Sequence, residues 1–330
     1  TFSCFKLIIF FFLFEFSKKI NKKFKVFTFS PVKFLKVEEN YKLLNSYITV
    51  DKMNNIVDYS FPKSFHLALS TGCNLKCGMC PYHSKEFRQI QTNNYFKITK
   101  SIKGSLLIKI FKEIGKYNSH VRLGQYDEPF MYKNLTNYIL KGMSYGCRIS
   151  ITTNGTLINI NEIQKLLDKN LSEISFSLDA ASTSTYKKIR HDDFKIPILN
   201  LKKIVDIRNK LNSKTVIRAC MVVQKDNEHE IKKFKVKMKE IGVDVVSFYN
   251  LTIYKNKKWI NSKLNFEVQD QSITQKREPC SQLWNQMSIY PDGKVSLCCA
   301  TTLYTGFRED LPYVGDLNKN SIKSIWNCSK

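Results

Sequence analysis

From residue 64 onward, short apolar runs alternate with longer stretches whose apolar residues recur at helical spacing, and no other feature restricts the fold as much. Such alternation describes βα units wound around a parallel sheet. SFHLALS (64–70), HVRLGQY (120–126), RISITTNGT (148–156), SEISFSLDA (172–180), TVIRACMVVQ (215–224) and VDVVSFYNLT (243–252) read as strands. Between them SLLIKIFKEIGKY (105–117), NLTNYILKGMSYG (134–146), NINEIQKLLDKN (159–170), IPILNLKKIVDIRNKLN (196–212) and HEIKKFKVKMKEIG (229–242) read as helices. Asn159 or Asn161 supplies an N-cap, and Gly146 and Gly242 act as stops. Six βα steps are too few for a closed eight-stranded barrel, so the expected fold is α/β, a partial (β/α)6 TIM-like barrel open on one side. The alternative hides two more strands in 251–279, but 259–279 is polar and reads as a linker.

Three cysteines fall within eight residues just after the first strand, Cys73, Cys77 and Cys80 in TGCNLKCGMCPYH. The CxxxCxxC spacing offers three thiolates to one centre and withholds a fourth, so an iron–sulfur cluster held there keeps one iron open to a small ligand. Gly72 and Gly78 are expected to let the backbone curl around an inorganic core. A disulfide would use two of the three thiols and leave a reactive one over. Zinc is a further reading: His83 follows Cys80 by three residues and would complete a Cys3His tetrahedron, although zinc layouts usually split into two short pairs far apart in sequence.

Polar residues also gather at the carboxyl ends of the next strands: Asp127 and Glu128 after the second, Thr153 and Asn154 after the third, Ser177 and Asp179 on the fourth. In barrel-like parallel sheets that is the ligand-binding face. A turn explains Asn154-Gly155 taken alone. Recurrence at successive strand ends marks the wall of a shared site.

The 330 residues carry 53 Lys plus Arg against 28 Asp plus Glu, a net charge of +25. Such a charge attracts phosphates or anionic lipid. The lysines are spread along nearly every segment beside abundant Asn, Ile and Phe, so a compositional bias explains them better than a nucleic-acid footprint does. Neither nucleic acid nor membrane is expected as a partner. Of the ten cysteines, seven fall in two places, 73–80 and 280–328, rather than being evenly spaced, which argues for a reducing, cytoplasmic compartment. Cys147 and Cys220, inside apolar strand-like runs, read as small core hydrophobes. The apolar run Leu7 to Phe14 is shorter than the roughly 20 residues of a membrane-spanning helix and lacks a small-residue cleavage site after it. Residues 1–61 are expected to be an N-terminal segment that is non-native or poorly ordered at its start.

From about residue 62 onward, these motifs resemble the radical S-adenosylmethionine (SAM) superfamily, whose cysteine signature follows the first strand. The resemblance implies a 4Fe-4S cluster held by Cys73, Cys77 and Cys80, with SAM chelated to the open iron. Reductive cleavage of SAM to a 5′-deoxyadenosyl radical, which abstracts a hydrogen from substrate, is the implied activity. The family's glycine-glycine-glutamate motif, which holds the methionine amino group, corresponds to YDEP, with Glu128 retained and Tyr126 and Asp127 in place of the glycines. Met79 stands where an aromatic residue often borders the adenine, Asn154, Ser177 and Asp179 take the ribose-facing and carboxylate-facing positions, and Arg190 is implied as a two-pronged partner of the methionine carboxylate. The bland alternative for Arg190 is a solvated helix face.

EPCSQLWNQMSIYPDGKVSLCCA (278–300) resembles the family's SPASM or twitch extension, in which a β-hairpin, here turning at Pro291-Asp292-Gly293, carries cysteines for an auxiliary iron–sulfur cluster. Asp-Gly between alternating apolar runs is independently a hairpin signal. Cys280 and Cys298 are the implied ligands. Cys299 should point to the opposite face of its strand, and because relatives continue to a further cysteine pair, the auxiliary site is expected to be incomplete. The expected division is 62–252 for the barrel, 253–278 for a linker and 279–330 for the extension. A peptide side chain or a small polar metabolite is the expected substrate, with a reductant such as flavodoxin or ferredoxin as electron donor. The competing classes are a non-enzymatic zinc module on nucleic acid and a radical SAM enzyme that modifies RNA.

Overall fold

The computed structural model describes residues 60–85, 99–251, 282–298 and 313–327. The expected amino-terminal segment, the linker 253–278 with any strands hidden in it, and Cys280, Cys299 and Cys328 lie outside the described residues. Strands β1 (Ser64–Leu67), β2 (His120–Leu123), β3 (Arg148–Thr153), β4 (Glu173–Ser177), β5 (Val216–Val223) and β6 (Val245–Asn250) pair in sequence order, each parallel to its neighbours. Helices α1 (Gly104–Gly115), α2 (Leu135–Ser144), α3 (Ile160–Asp168), α4 (Thr183–Arg190), α5 (Lys195–Lys210) and α6 (Ile231–Ile241) make the crossovers.

Strand periodicity explains which side faces the helices. Phe65, Leu67, Val121, Leu123, Ile149 and Ile151 occupy alternate positions and join Leu107, Phe111, Ile139 and Ile163 of α1, α2 and α3 in one buried core. Each such side chain contributes about 1.5–3 kcal/mol by leaving water. The intervening positions carry Ser64, His66, His120, Ser150, Thr152 and Ser175, so the inner face of the curved sheet is polar. Closed barrels usually fill that space with branched apolar side chains. Here the sheet instead holds hydrogen-bonding groups around an interior.

Local signals behave as the residues dictate. Asn159 caps α3 by accepting from the N–H groups of Asn161 and Glu162, and Gly146 and Gly242 end α2 and α6 with φ of +98° and +91°. Cys147 and Cys220 are buried core positions. Helix α4 has no counterpart among the expected elements. It is short and polar, begins at an N-cap, Ser182, and buries only Tyr186 and Ile189 as apolar anchors.

The carboxyl-terminal hairpin turns where expected. β7 (Gln286–Ile289) and β8 (Lys294–Ser296) are antiparallel, with Gly293 at φ +85°. The sequence does not disclose that β7 also pairs parallel with β1, Ser64 with Gln286 through Leu67 with Ile289, so the hairpin continues the barrel sheet. All four β7 residues are buried, and an otherwise open edge of β1 is closed. β9 (Gly315–Asp316) completes the order β6-β5-β4-β3-β2-β1-β7-β8-β9. A short helix, Ile322–Asn327, docks on α1, whose Glu113 accepts from the N–H groups of Ile322 and Lys323. Among the described residues, no helix is long and apolar enough to cross a membrane.

Candidate functional site

The loop after β1 is held from three sides. The N–H groups of Leu69 and Ser70 both donate to Asp127 Oδ2 at 3.1 Å, the Glu128 N–H donates to the Gly72 carbonyl at 2.9 Å, and the Gly78 N–H donates to the Ile189 carbonyl at 3.0 Å. The ends of β2 and α4 therefore grip the cysteine loop. Neither Gly72 nor Gly78 adopts left-handed backbone, and a Cβ on Gly72 would meet Thr99 Cγ2 at 3.1 Å, a tight approach. A Cβ on Gly78 would meet the His191 ring at 3.4 Å, an ordinary contact. Close approach of α4 and its amide bond shape this turn.

Cys73, Cys77 and Cys80 are all free thiols, which sets the disulfide aside. Burial pushes the Cys73 thiol up to about 12 and the Cys80 thiol to about 11, and raises Cys77 as well. Donors are nevertheless aimed at every sulfur. The Leu75 amide serves Cys73, the Tyr82 and His83 amides serve Cys80, and Arg190 Nη1 lies 3.5 Å from Cys77 Sγ. Burial alone keeps these groups neutral, and the donors around the sulfurs suit thiolates once a cationic metal centre supplies the opposing charge. Among the described residues, no three His, Cys, Asp or Glu side chains converge where one ion would sit. His83 is committed through Nε2 to the Tyr126 carbonyl at 2.6 Å. A multi-iron core needs its thiolates spread over several metals, whereas a Cys3His zinc cage would have to take His83 through its other ring nitrogen, Nδ1.

Beside the loop, the Glu128 carboxylate is 1% exposed and burial raises its pKa. It accepts from Thr153 Oγ1 and the Asn154 N–H, both at 2.7 Å, and from the Phe130 N–H at 3.2 Å. A carboxylate offers about four acceptor positions, so these bonds leave room for a cationic donor. Its neighbour Asp127 is pushed up to about 7, first by burial and then by the Glu128 charge, and its Oδ1 is buried without a partner.

The remaining residues singled out in the sequence fall around the same loop. Asn154 Nδ2 donates to Asn74 Oδ1 at 2.9 Å and lies 3.9 Å from Cys73 Sγ. Asp179, with φ +60°, pairs its Oδ2 with Arg190 Nη2 at 2.6 Å. Arg190 is buried, so the solvated-face alternative fails. Ser177 ends β4 half-buried, paired through its backbone with Cys220, and Met79 is half-buried in the turn between Cys77 and Cys80. Cys298 follows β8, half-buried, its carbonyl accepting from Ser296 Oγ at 3.0 Å.

Several supporting residues carried no sequence signal of their own. Asn74 links Asn154 to Thr156 across the loop. Asn227 Nδ2 donates to the carbonyls of Asp179 and Val222, both at 2.9 Å, clamping β4 to β5. Glu230 accepts from the Ala181 N–H at 2.6 Å and from the Ser182 hydroxyl, fixing the start of α4.

Comparison with known proteins follows this geometry. The profile of the radical SAM superfamily matches residues 67–236, just over half of the 330 residues, and that of the iron-sulfur cluster-binding SPASM domain matches 280–330. A probable GTP 3',8-cyclase of Methanococcus maripaludis is 32% identical over 127 residues, 38% of this chain and 40% of that protein. The tungsten-containing aldehyde ferredoxin oxidoreductase cofactor-modifying protein of Pyrococcus furiosus is 23% identical over 193 residues, 57% of this chain and 51% of that protein. The chain thus spans 40% and 51% of these curated relatives. Streptococcus suis SuiB, solved with S-adenosylmethionine and with precursor peptide SuiA, superposes with a TM-score of 0.59 in each case. Identity is 16% and 17%, over 81% and 84% of this chain and 66% and 67% of SuiB, a likeness of fold. The cysteine loop lies inside a match that covers more than half the chain, and the chain belongs to the radical SAM superfamily, with an iron–sulfur cluster-binding SPASM domain at its carboxyl end.

Proposed function

We propose that this protein cleaves SAM reductively and abstracts a hydrogen from a peptide side chain or a small polar metabolite. Family membership brings with it a 4Fe-4S cluster, SAM and auxiliary cluster binding in the SPASM domain. Bound at the open iron, SAM with one electron supplies a 5′-deoxyadenosyl radical, the hydrogen-abstracting species. The observation that carries the reading is the pairing of three free thiols in one turn with a buried carboxylate, Glu128, that retains acceptor capacity beside them.

In this reading Cys73, Cys77 and Cys80 hold the cluster, and Glu128 receives the methionine ammonium. An ammonium there would supply the positive charge that a buried carboxylate otherwise lacks. Met79 borders the adenine, Asn154, Ser177 and Asp179 take the ribose-facing and carboxylate-facing positions, and Arg190 partners the methionine carboxylate. Cys280 and Cys298 serve the auxiliary cluster. The polar inner face of β1 to β4 supports a polar substrate, because it offers hydrogen-bonding groups that apolar cargo could not use. The shared fold accommodates a precursor peptide in SuiB, which supports the peptide form of the reading. A reductant such as flavodoxin or ferredoxin delivers the electron.

The test is anaerobic reconstitution with iron and sulfide, followed by dithionite and SAM, with 5′-deoxyadenosine measured by chromatography. Production by the wild type, abolished in Cys77→Ala, is expected. Wild-type protein that loads iron and forms no 5′-deoxyadenosine contradicts the reading.

A further inference from the structure

We infer that the buried Asp179–Arg190 ion pair tunes the reduction potential of the cluster through Cys77, an electrostatic role beyond the SAM contacts given above. The inference rests on the reading above that the cysteine loop carries a reducible cluster.

Among the described residues, a formally charged donor approaches Cys77 and neither of the other two sulfurs. Arg190 Nη1 lies 3.5 Å from Cys77 Sγ, whereas Cys73 and Cys80 receive backbone amides. Arg190 is the last residue of α4, and its side chain is only 10% exposed. Its other terminal nitrogen is 2.6 Å from Asp179 Oδ2, a carboxylate with no solvent exposure at all. One side of the guanidinium is thus anchored, and its second nitrogen is aimed at the sulfur.

The anchor is itself rigid. Asp179 sits at φ +60°, a region unfavourable for a residue with a Cβ and sustained only by its surroundings. Those surroundings are present: Asp179 Oδ1 accepts from the Val222 N–H at 2.7 Å, and its carbonyl accepts from Asn227 Nδ2 at 2.9 Å. The Gly78 amide bond to Ile189 brings the end of α4 against the cysteine turn. A surface arginine would be solvated, whereas both terminal nitrogens of this buried one face protein partners.

Two opposed charges at fixed positions give opposed effects on a thiolate-bound cluster. Reduction adds negative charge, which a positive hydrogen-bond donor at the sulfur stabilises and a nearby carboxylate disfavours. Arg190, nearer Cys77, raises the potential, and Asp179 holds that increase down while keeping Arg190 in place. Isolated burial of either charge would be costly, which explains why the two occur together.

The test is a redox titration of the reconstituted cluster, with electrons from dithionite and the reduced state read by electron paramagnetic resonance. All proteins carry Cys280→Ser and Cys298→Ser to silence the auxiliary site. At the potential where the unsubstituted pair is half reduced, Asp179→Asn is expected to raise the ratio of reduced to oxidised cluster by roughly threefold or more. Arg190→Gln is expected to lower it by a similar factor, and the double variant to fall between them. Should Arg190→Gln load poorly, Arg190→Lys keeps the charge, loses the fork and is expected to lower the ratio by less. Iron and sulfide content serve as the loading control. Coincident titrations at equal loading, or shifts of both single variants in one direction, overturn the inference and leave the pair a scaffold. A parent protein that takes up no cluster removes the reading beneath it, and is told apart by its iron content.

Discussion

Thr153 Oγ1 donates to Glu128 Oε1 at 2.7 Å, so the end of β3 orients the carboxylate in the loop that follows β2. The Asn154 amide takes the other oxygen. Glu128→Gln should therefore remove the charge facing a bound methionine ammonium while keeping shape. SAM affinity is expected to fall by about 1.5–3 kcal/mol, tenfold or more, measured by calorimetry on reconstituted protein. Thr153→Val, which removes a single neutral donor, is expected to cost about 1 kcal/mol.

Asp127 gives the protein a pH dependence of known sign. Its folded pKa, about 7, lies above the ordinary value of 3.8 because burial and Glu128 disfavour the charge. Its contribution to stability is fully present below the ordinary value and is lost as pH rises through about 7. Asp127→Asn is expected to flatten that fall, so that the urea midpoint of the variant gains on the wild type between pH 5 and pH 8. An unchanged difference between the two proteins across that range contradicts the assignment.

Gly142 lies where α2 packs against α1 and β3. A Cβ there would meet Ile149 Cδ1 at 2.7 Å and Phe111 Cδ2 at 2.9 Å. Gly142→Ala is expected to destabilise the barrel by about 1–3 kcal/mol through overpacking, despite the better helix propensity of alanine. Chemical denaturation reads this, and cluster loading at low temperature should be unaffected.

Cys280→Ser combined with Cys298→Ser should lower iron and sulfide per chain while 5′-deoxyadenosine formation in the absence of substrate persists. Loss of all iron in that variant would mean that the two cysteine groups do not act as separate centres.

The strands were legible because one apolar face at a period of two survives in every one of them, as Phe65 and Leu67 or Ile149 and Ile151 illustrate. The cysteine loop was legible because its spacing matches no helix or strand period. Helix α4 was not, since the eight residues from Thr183 to Arg190 are mostly polar and their burial depends on a docking surface far away in sequence. For the same reason the orientation of Arg190 was open: spacing cannot say whether a guanidinium turns to water or to Asp179. The parallel pairing of β7 with β1 is a non-local choice that hairpin signals do not encode. The glycines beside the cysteines point to a loop that curls, and the amide bonds that shape it, to α4 and to the segment after β2, are ones no residue-by-residue reading supplies.

The central claim is that Cys73, Cys77 and Cys80 hold a cluster with one iron open to SAM. Its most direct measurement is the electron paramagnetic resonance spectrum of the reduced, reconstituted Cys280→Ser, Cys298→Ser protein before and after SAM is added. A single cluster signal whose g values shift on addition of SAM, and which is absent from Cys77→Ala, is the predicted result. A signal that ignores SAM, or one that survives Cys77→Ala, contradicts it.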